Sequence, residues 1–301
     1  MLRHVLVPLD GSVLAEAALP AAAATAKAFE ARVTLFHVLE EWAPETVHGQ
    51  RHLTDAAQAR AYLESVARRP LLSDRAVDIH VHETRTGNVA DSIMAHADEL
   101  GADLVVLCTH GEGGLRGFFF GSIALRALGR GRTPILLVSP PATGEPPPFL
   151  CRSILVPLDG RAGHELALPT ASVLARAWAA TVHLVMVVPT AGTLSGSEAA
   201  TGVLMPSATR VVLDLAQRGA EEYVERVAQT LRAGGLAPST HVGRGEPAVC
   251  LVERAEAVGA DLVVVATHAK GAMDAFWSGS LTPKLMEQLR RPLLLVRAAP
   301  E

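Results

Sequence analysis

Val5-Leu-Val-Pro-Leu-Asp-Gly11 returns further along the chain as Ile154-Leu-Val-Pro-Leu-Asp-Gly160, six identities in seven at an offset of 149. A second string, Gly101-Ala-Asp-Leu-Val-Val-Leu-Cys-Thr-His-Gly111, returns as Gly259-Ala-Asp-Leu-Val-Val-Val-Ala-Thr-His-Ala269, eight identities in eleven at an offset of 158. Gly121-Ser122 and Gly279-Ser280 keep the offset of 158, as do Pro134-Ile-Leu-Leu-Val138 and Pro292-Leu-Leu-Leu-Val296. Motifs repeated in one order mark a duplicated structural unit. The second copy is longer by nine residues (158 minus 149), and these fall between its first and fourth strands.

Each copy alternates short β-branched runs with longer alanine-rich amphipathic stretches. In the first, the pattern predicts strands at 5–9, 33–39, 77–83, 104–108 and 135–138. Helices fall at 12–30, with Ser12 or Asp10 near the cap, at 54–69, at 89–100, and from 122 to 128. In the second, strands fall at 154–158, 182–188, 240–242, 262–266 and 293–296. Continuously apolar strands alternating with helices imply a parallel sheet covered on both faces, so the expected fold is α/β, doubly wound, twice over. The expected domains are residues 1–140 and 151–301. Between them lies a Pro-rich linker, 141–150, set in the run Ser139-Pro-Pro-Ala-Thr-Gly-Glu-Pro-Pro-Pro-Phe-Leu150. Proline this dense feeds neither a ladder nor a helix interior and makes a semi-rigid spacer.

A chain of 301 residues suffices for two such cores. The 49% hydrophobic and 19% charged content is that of a globular protein. A net charge of -4 argues against a sequence-independent nucleic-acid binder, which needs cations to neutralise phosphates. No charged leader precedes an apolar signal core, and no run reaches the ~20 apolar residues that span a bilayer. Cys108, Cys151 and Cys250 stand apart, without metal-type spacing, and read as reduced thiols. The expectation is a cytoplasmic protein with no membrane or nucleic-acid partner.

Open parallel sheets bind ligands at the carboxyl ends of their strands. Strand one of the first copy ends in Leu9-Asp10-Gly11, and strand four in Cys108-Thr109-His110-Gly111. After nine further residues Gly121-Ser122 opens a helix, whose bare amides favour an anion, with the Ser122 hydroxyl as an added donor. An acidic group beside such a loop suits ribose at one end and phosphate at the other.

Gly111, nine residues, then Gly121-Ser122 resembles the nucleotide loop of the universal stress protein family, G-x2-G-x9-G-[S/T]. Val-Pro-Leu-Asp-Gly at the end of strand one and Gly-Ala-Asp-Leu-Val-Val before the loop are also similar to that family, and together these motifs cover the chain apart from the linker. The resemblance implies five strands per sheet in the order 3-2-1-4-5 and a pocket for ATP with Mg²⁺. By matching position the pocket would use Pro8, Leu9, Asp10, Val38, Cys108, Thr109, His110, Gly111, Gly121, Ser122 and Ile123. Asp10 would meet the adenine–ribose region and Val38 would meet adenine through its backbone. Gly111, Gly121, Ser122 and the Ile123 amide would hold phosphates. A weaker second site would use Asp159, Val187, Gly279, Ser280 and Leu281.

Departures from the family pattern are also legible. Cys108 replaces the first loop glycine, and Glu112 stands where the family often has a basic residue, with Arg116 or Mg²⁺ to compensate. In the second copy Ala266 and Ala269 replace both leading glycines. The resemblance therefore implies a nucleotide-responsive stress regulator. A nucleotide-independent interaction module of the same fold is the alternative. Slow ATP hydrolysis or autophosphorylation on Ser122 is weaker still, and no dedicated catalyst is expected.

Other strings are better read as structure. Gly243-Arg-Gly245-Glu-Pro-Ala248 matches a dinucleotide fingerprint but follows strand three, where a plain strand-to-helix turn is expected. His80 and His82 share one face of a strand with Glu83 next to them; with no third ligand evident they read as solvated strand histidines. His110 and His268 sit at matching loop positions without a partner carboxylate and read as loop-ordering residues. Cys108 ends a buried strand and reads as a small core residue. No Gly-Lys-Ser/Thr string occurs, which removes a Walker-type ATPase. Strand five is apolar in both copies, so the halves are expected to pair through Ile135–Val138 and 293–296 as an intramolecular pseudo-dimer, with a homodimer open beyond that. Residues 189–206, rich in Gly, Ser and Thr, read as a flap over the second crevice or as a surface loop.

Overall fold

The computed structural model describes residues 2–47, 49–109, 126–127, 131–141, 144–194, 196–268 and 281–298. The chain forms two compact units. One holds the first 150 residues together with the last strand, and the other holds Cys151–His268 with a helix at 281–288. No helix among the described residues is long and apolar enough to cross a membrane.

In chain order the first 150 residues give β1 (His4–Pro8), a 3₁₀ turn (Ala15–Ala18), α1 (Leu19–Phe29), β2 (Arg32–Glu40) and a small hairpin, β3 (Thr46–Val47) and β4 (Gln50–Arg51). Then follow α2 (Ala56–Ala67), β5 (Val77–Thr86), α3 (Val89–Glu99), β6 (Leu104–Cys108) and β7 (Ile135–Val138). The second copy gives β8 (Ser153–Leu158), α4 (Ala167–Trp178), β9 (Thr181–Val188), α5 (Gly196–Leu204) and α6 (Pro206–Ala233). It continues with β10 (Ser239–Arg244), α7 (Pro247–Ala257), β11 (Leu262–His268), α8 (Leu281–Gln288) and β12 (Leu293–Ala298).

In the first unit β1 pairs in parallel with β2 and β6, β2 with β5, and β6 with β7. The last strand of the chain, β12, completes this sheet by pairing antiparallel with β7, Leu293 opposite Leu137 and Leu295 opposite Ile135. In the second unit β10, β9, β8 and β11 pair in parallel, in that order. Fold and sequence pattern agree: both units are α/β with mostly parallel sheets. Central strands are buried nearly throughout, β2 from Val33 to Leu39 and every residue of β8, which is why their sequences are continuous apolar runs. β5, by contrast, is buried only at Val81 and partly or fully exposed elsewhere, and its sequence carries His80, His82, Glu83 and Arg85.

Local chemistry fixes the helix starts. The Asp55 carboxylate accepts the amides of Ala57 and Gln58 at 2.9 and 3.1 Å, and the Glu246 carboxylate accepts that of Val249 at 2.9 Å. α1 and α4 both end on a non-glycine residue in the left-handed region, Glu30 (φ 53°) and Ala179 (φ 51°), which occupy matching places in the repeat. Residues 189–206 are not one irregular segment, since α5 lies within them.

The duplicated Gly-Ala-Asp string has a structural duty. Asp103 accepts the backbone amides of Arg3 (2.7 Å) and His4 (3.1 Å), and Asp261 accepts those of Arg152 (2.7 Å) and Ser153 (3.1 Å). Each carboxylate thus clamps the start of strand one to the entry of strand four. That contact sets the register in which the carboxyl ends of those two strands meet.

Candidate functional site

The carboxyl ends of β1, β2 and β6 converge in the first unit. β1 stops at Pro8, opposite Phe36, and the Leu9 amide donates to the Phe36 carbonyl at 2.8 Å. β2 runs on to Glu40, so its β1-facing edge beyond Phe36 has no strand beside it. Backbone groups alternate sides along a strand, so the amide and carbonyl of Val38 point the same way as the Phe36 carbonyl, into that gap. By this geometry the Val38 amide and carbonyl face the uncovered edge while its side chain is buried.

Asp10 forms the rim. Its Oδ1 accepts the Ser12 amide at 2.8 Å, and the Ser12 hydroxyl accepts the Ala15 amide at 3.1 Å, so one short turn fixes the carboxylate and starts the following 3₁₀ segment. Gly11 between them has φ +91°, a conformation that favours glycine. Cys108 closes the opposite side. Burial, and then the Asp10 charge, push its thiol up to about 12, so it is protonated and carries no nucleophile at neutral pH. Thr109, the next residue, is buried and donates its amide to the Val138 carbonyl at 2.8 Å.

Two features were not signalled by the motifs. His37 is buried, with Nδ1 2.7 Å from the Leu9 carbonyl oxygen and Nε2 3.2 Å from that of Leu53, and so stands between the end of β1 and the segment that follows the small hairpin. A polar residue inside the apolar run of β2 was the available sign, and Met186 stands at its place in the second copy. The chain has two tyrosines, and each is bonded to a glutamate near the first helix of its unit. Tyr62 donates to Glu16 at 3.0 Å, and Tyr223 donates to Glu165 at 2.8 Å. Arg69 completes the first pair with a bidentate contact to Glu16 at 2.8 and 2.9 Å. Burial, then Glu16 and then Asp10, raise the Tyr62 phenol, so this strut lies within reach of the crevice charge.

The structure thus brings together Pro8, Leu9, Asp10, Val38, Cys108 and Thr109. His110, Gly111, Gly121, Ser122 and Ile123 lie outside the described residues, as do Gly279 and Ser280 of the second site. In the second unit Val187 lies near the end of β9, and Leu281 is the first residue of α8. Asp159 is engaged by its own surroundings. His164 Nδ1 lies 2.7 Å from Oδ2, Arg161 Nε lies 3.5 Å from the same atom, and the Arg161 amide donates to Oδ1 at 3.0 Å. Burial pushes this carboxyl up, but the hydrogen bonds from His164 and the Arg161 amide outweigh it and hold it below the usual carboxylate range. Ala15 stands at the place of His164 in the first copy, where no imidazole can do the same.

A concavity of about 780 Å³ in the first unit, lined by Arg3, His4, Arg32, Asp74 and Arg75 among others, lies at the amino ends of the strands. Parallel sheets gather ligands at the other end, where the helix amino termini point. The carboxyl-end crevice is therefore the better candidate.

This is the arrangement of a duplicated, doubly wound α/β protein with its crevice at the switch between β1 and β6. The chain belongs to the universal stress protein family, whose profile matches residues 1–139 and again 151–297. It is 29% identical over 147 residues to universal stress protein YxiE of Bacillus subtilis, covering 46% of this chain and 99% of that one. It is 28% identical over 142 residues to universal stress protein MJ0531 of Methanocaldococcus jannaschii, covering 46% of this chain and 83% of that one. The crystal structure of a universal stress protein from Archaeoglobus fulgidus superposes over 98% of both chains with a TM-score of 0.71 at 13% identity, a likeness of fold alone.

Proposed function

We propose that the first unit binds ATP, with Mg²⁺ on its phosphates, and that the protein is a cytoplasmic, nucleotide-responsive stress regulator. What supports this reading is that Asp10 directly follows Leu9, the residue whose amide is bonded to Phe36 of β2, while Val38 lies on the β1-facing edge of β2 beyond that bond, which no strand covers. An adenine edge needs one acceptor and one donor side by side, and ribose hydroxyls need a carboxylate acceptor, so the residues present fit the group. Bound ATP would supply phosphate charge, which the resemblance assigns to Gly111, Gly121, Ser122 and Ile123. Within this chain, Asp10 orients the ribose, Val38 reads the base, and Cys108, held protonated, lines the site without reacting.

One occupied site per chain is the expected stoichiometry, because Asp159 is taken up by His164 and Arg161. That same latch favours a second reading for the second unit alone, as a nucleotide-independent scaffold. Slow hydrolysis or phosphorylation of Ser122 would be a side activity of the first site.

The test is calorimetric titration of nucleotide-stripped protein with Mg-ATP. Saturable binding near one per chain is expected. Asp10→Ala should weaken it about 10- to 100-fold, the worth of a hydrogen bond to a charged group, and Gly121→Val should abolish it. No binding by the folded, unmodified chain refutes the proposal.

A further inference from the structure

Three imidazoles gather on the β5 side of the first unit, with His80 and His82 opposite Phe36 and Val38 of β2. His80 and His82 lie on the edge strand β5, and His96 comes from α3. The His96 ring sits 5.0 Å from that of His80, 4.8 Å from that of His82 and 4.8 Å from Phe36, centroid to centroid. All three histidines are partly exposed, so the cluster is open to solvent. The third partner that the sequence did not reveal is His96, sixteen positions from His80 and carried on a different element.

The tautomer of His96 is set by its backbone. Nδ1 lies 2.8 Å from the Ser92 carbonyl oxygen and donates to it, which leaves Nε2 as a lone pair when the ring is neutral. Glu99 Oε2 stands 4.0 Å from that Nε2, so two electron-pair donors face one another across a gap. A ring with one nitrogen tied to a carbonyl and the other free is how histidine is presented to a metal. With metal–nitrogen bonds of about 2.0–2.1 Å, two imidazoles at a tetrahedral angle place their centroids about 5 Å apart, the spacing already present.

The second copy is an internal comparison. Its strand β10 holds His241 opposite Val185, as β5 holds His80 opposite Phe36. Gly243 replaces His82, Ala257 replaces Glu99, and Arg254 takes the place of His96. After burial, the guanidinium of Arg254 is what lowers His241. The second unit thus fills with a fixed cation the place where the first unit gathers ligands for one.

We propose that His80, His82, His96 and Glu99 bind a borderline divalent transition metal, Zn²⁺ in type, on the first unit. Imidazole nitrogens with one carboxylate oxygen suit that class of ion over Mg²⁺ or Ca²⁺. As the side chains stand, no group of three or more described His, Cys, Asp or Glu residues is in a ligating arrangement, so binding draws the partly exposed rings of His80 and His82 toward His96. That reorganisation makes the site one of moderate affinity, on the order of micromolar rather than that of a preformed structural zinc.

The experiment uses the untagged, chelator-treated full chain without nucleotide, so that its outcome is separate from that of ATP binding. Zn²⁺ is titrated by calorimetry, and Co²⁺ is followed by its visible absorption. One ion per chain is expected, with the intense visible bands of tetrahedral Co²⁺. His96→Gln and His82→Asn should each weaken binding at least tenfold, while His241→Gln in the second unit leaves it unchanged. Circular dichroism checks that every variant is folded; His82→Asn, on the exposed edge strand, is the backup should His96→Gln unfold. Absence of saturable Zn²⁺ binding overturns the proposal. So does binding that survives the two first-unit variants, or that is lost only when Cys108, Cys151 and Cys250 are replaced by serine.

Discussion

Alanine in place of Gly11 separates two costs that usually come together, because the duplicated chain supplies its own control. Gly11 and Gly160 occupy matching positions with φ +91° and +83°. Left-handed backbone costs an L-residue about 1–2 kcal/mol at either place. The surroundings differ. A Cβ on Gly11 would stand 2.8 Å from both Cγ and Cδ1 of Leu53, whereas one on Gly160 would meet nothing closer than Met186 Cε at 3.8 Å. Cγ is not the free end of a side chain, so Leu53 must move bodily, and this overpacking adds about 1 kcal/mol or more. Gly11→Ala should therefore cost about 2–3 kcal/mol and Gly160→Ala about 1–2 kcal/mol. Because the Leu53 carbonyl faces His37, the first change should also loosen the end of β1 and weaken nucleotide binding. Two units need not unfold together, so hydrogen exchange in urea, read separately on β1–β2 and β8–β9, is the assay. A Leu53→Ala background should bring the Gly11 penalty down to that of Gly160. Equal penalties in the parent chain would refute the steric reasoning.

Two further outcomes are expected. Burial, followed by the charges of Asp10 and Asp261 respectively, pushes Cys108 and Cys151 up to about 12. At about pH 8 both should therefore alkylate about a thousandfold more slowly than in unfolded chain, and mass-resolved labelling of Cys108 at the rate of a free thiol would contradict this. Asp159 has a depressed carboxyl in the folded state, so its contribution to stability is present above the unfolded carboxylate range and is lost as pH falls through the folded value. His164→Ala should raise the Asp159 titration toward the ordinary range in carboxyl NMR, and an unmoved titration would mean that His164 is not its partner.

Much of the fold was legible because it is written twice. Apolar runs at a constant offset located the strands. The Pro-Leu-Asp-Gly and Gly-Ala-Asp strings marked a strand end and a strand start, although the second proved to be a clamp on backbone amides rather than a part of the site. What the sequence hid depends on contacts distant along the chain. His37 is one residue of an apolar strand until Leu9 and Leu53 stand on either side of it. His96 lies on a helix, and only the packing of α3 against β5 sets it beside His80 and His82. Residues 196–204 read as loop because Gly, Ser and Thr are poor helix formers, yet the helix forms and packs against the 28-residue α6. For the site, Asp10 and Val38 were placed by the repeat and the resemblance. The feature on which the role proposed for Val38 rests, that β2 outruns β1, is a matter of strand length that no motif encodes.

The pairing of β12 with β7 also has a consequence in time. The first unit is not finished when its own 150 residues have emerged from the ribosome, because the strand that covers Ile135–Val138 is made last. At 5–20 residues per second the nascent chain carries that edge open for roughly 8 to 30 seconds while the second copy is synthesised. During this interval the edge is a template for the same strand of a neighbouring nascent chain. Cutting the gene at the linker would make that interval permanent, so the 1–150 fragment should be sticky in a way that the whole protein is not.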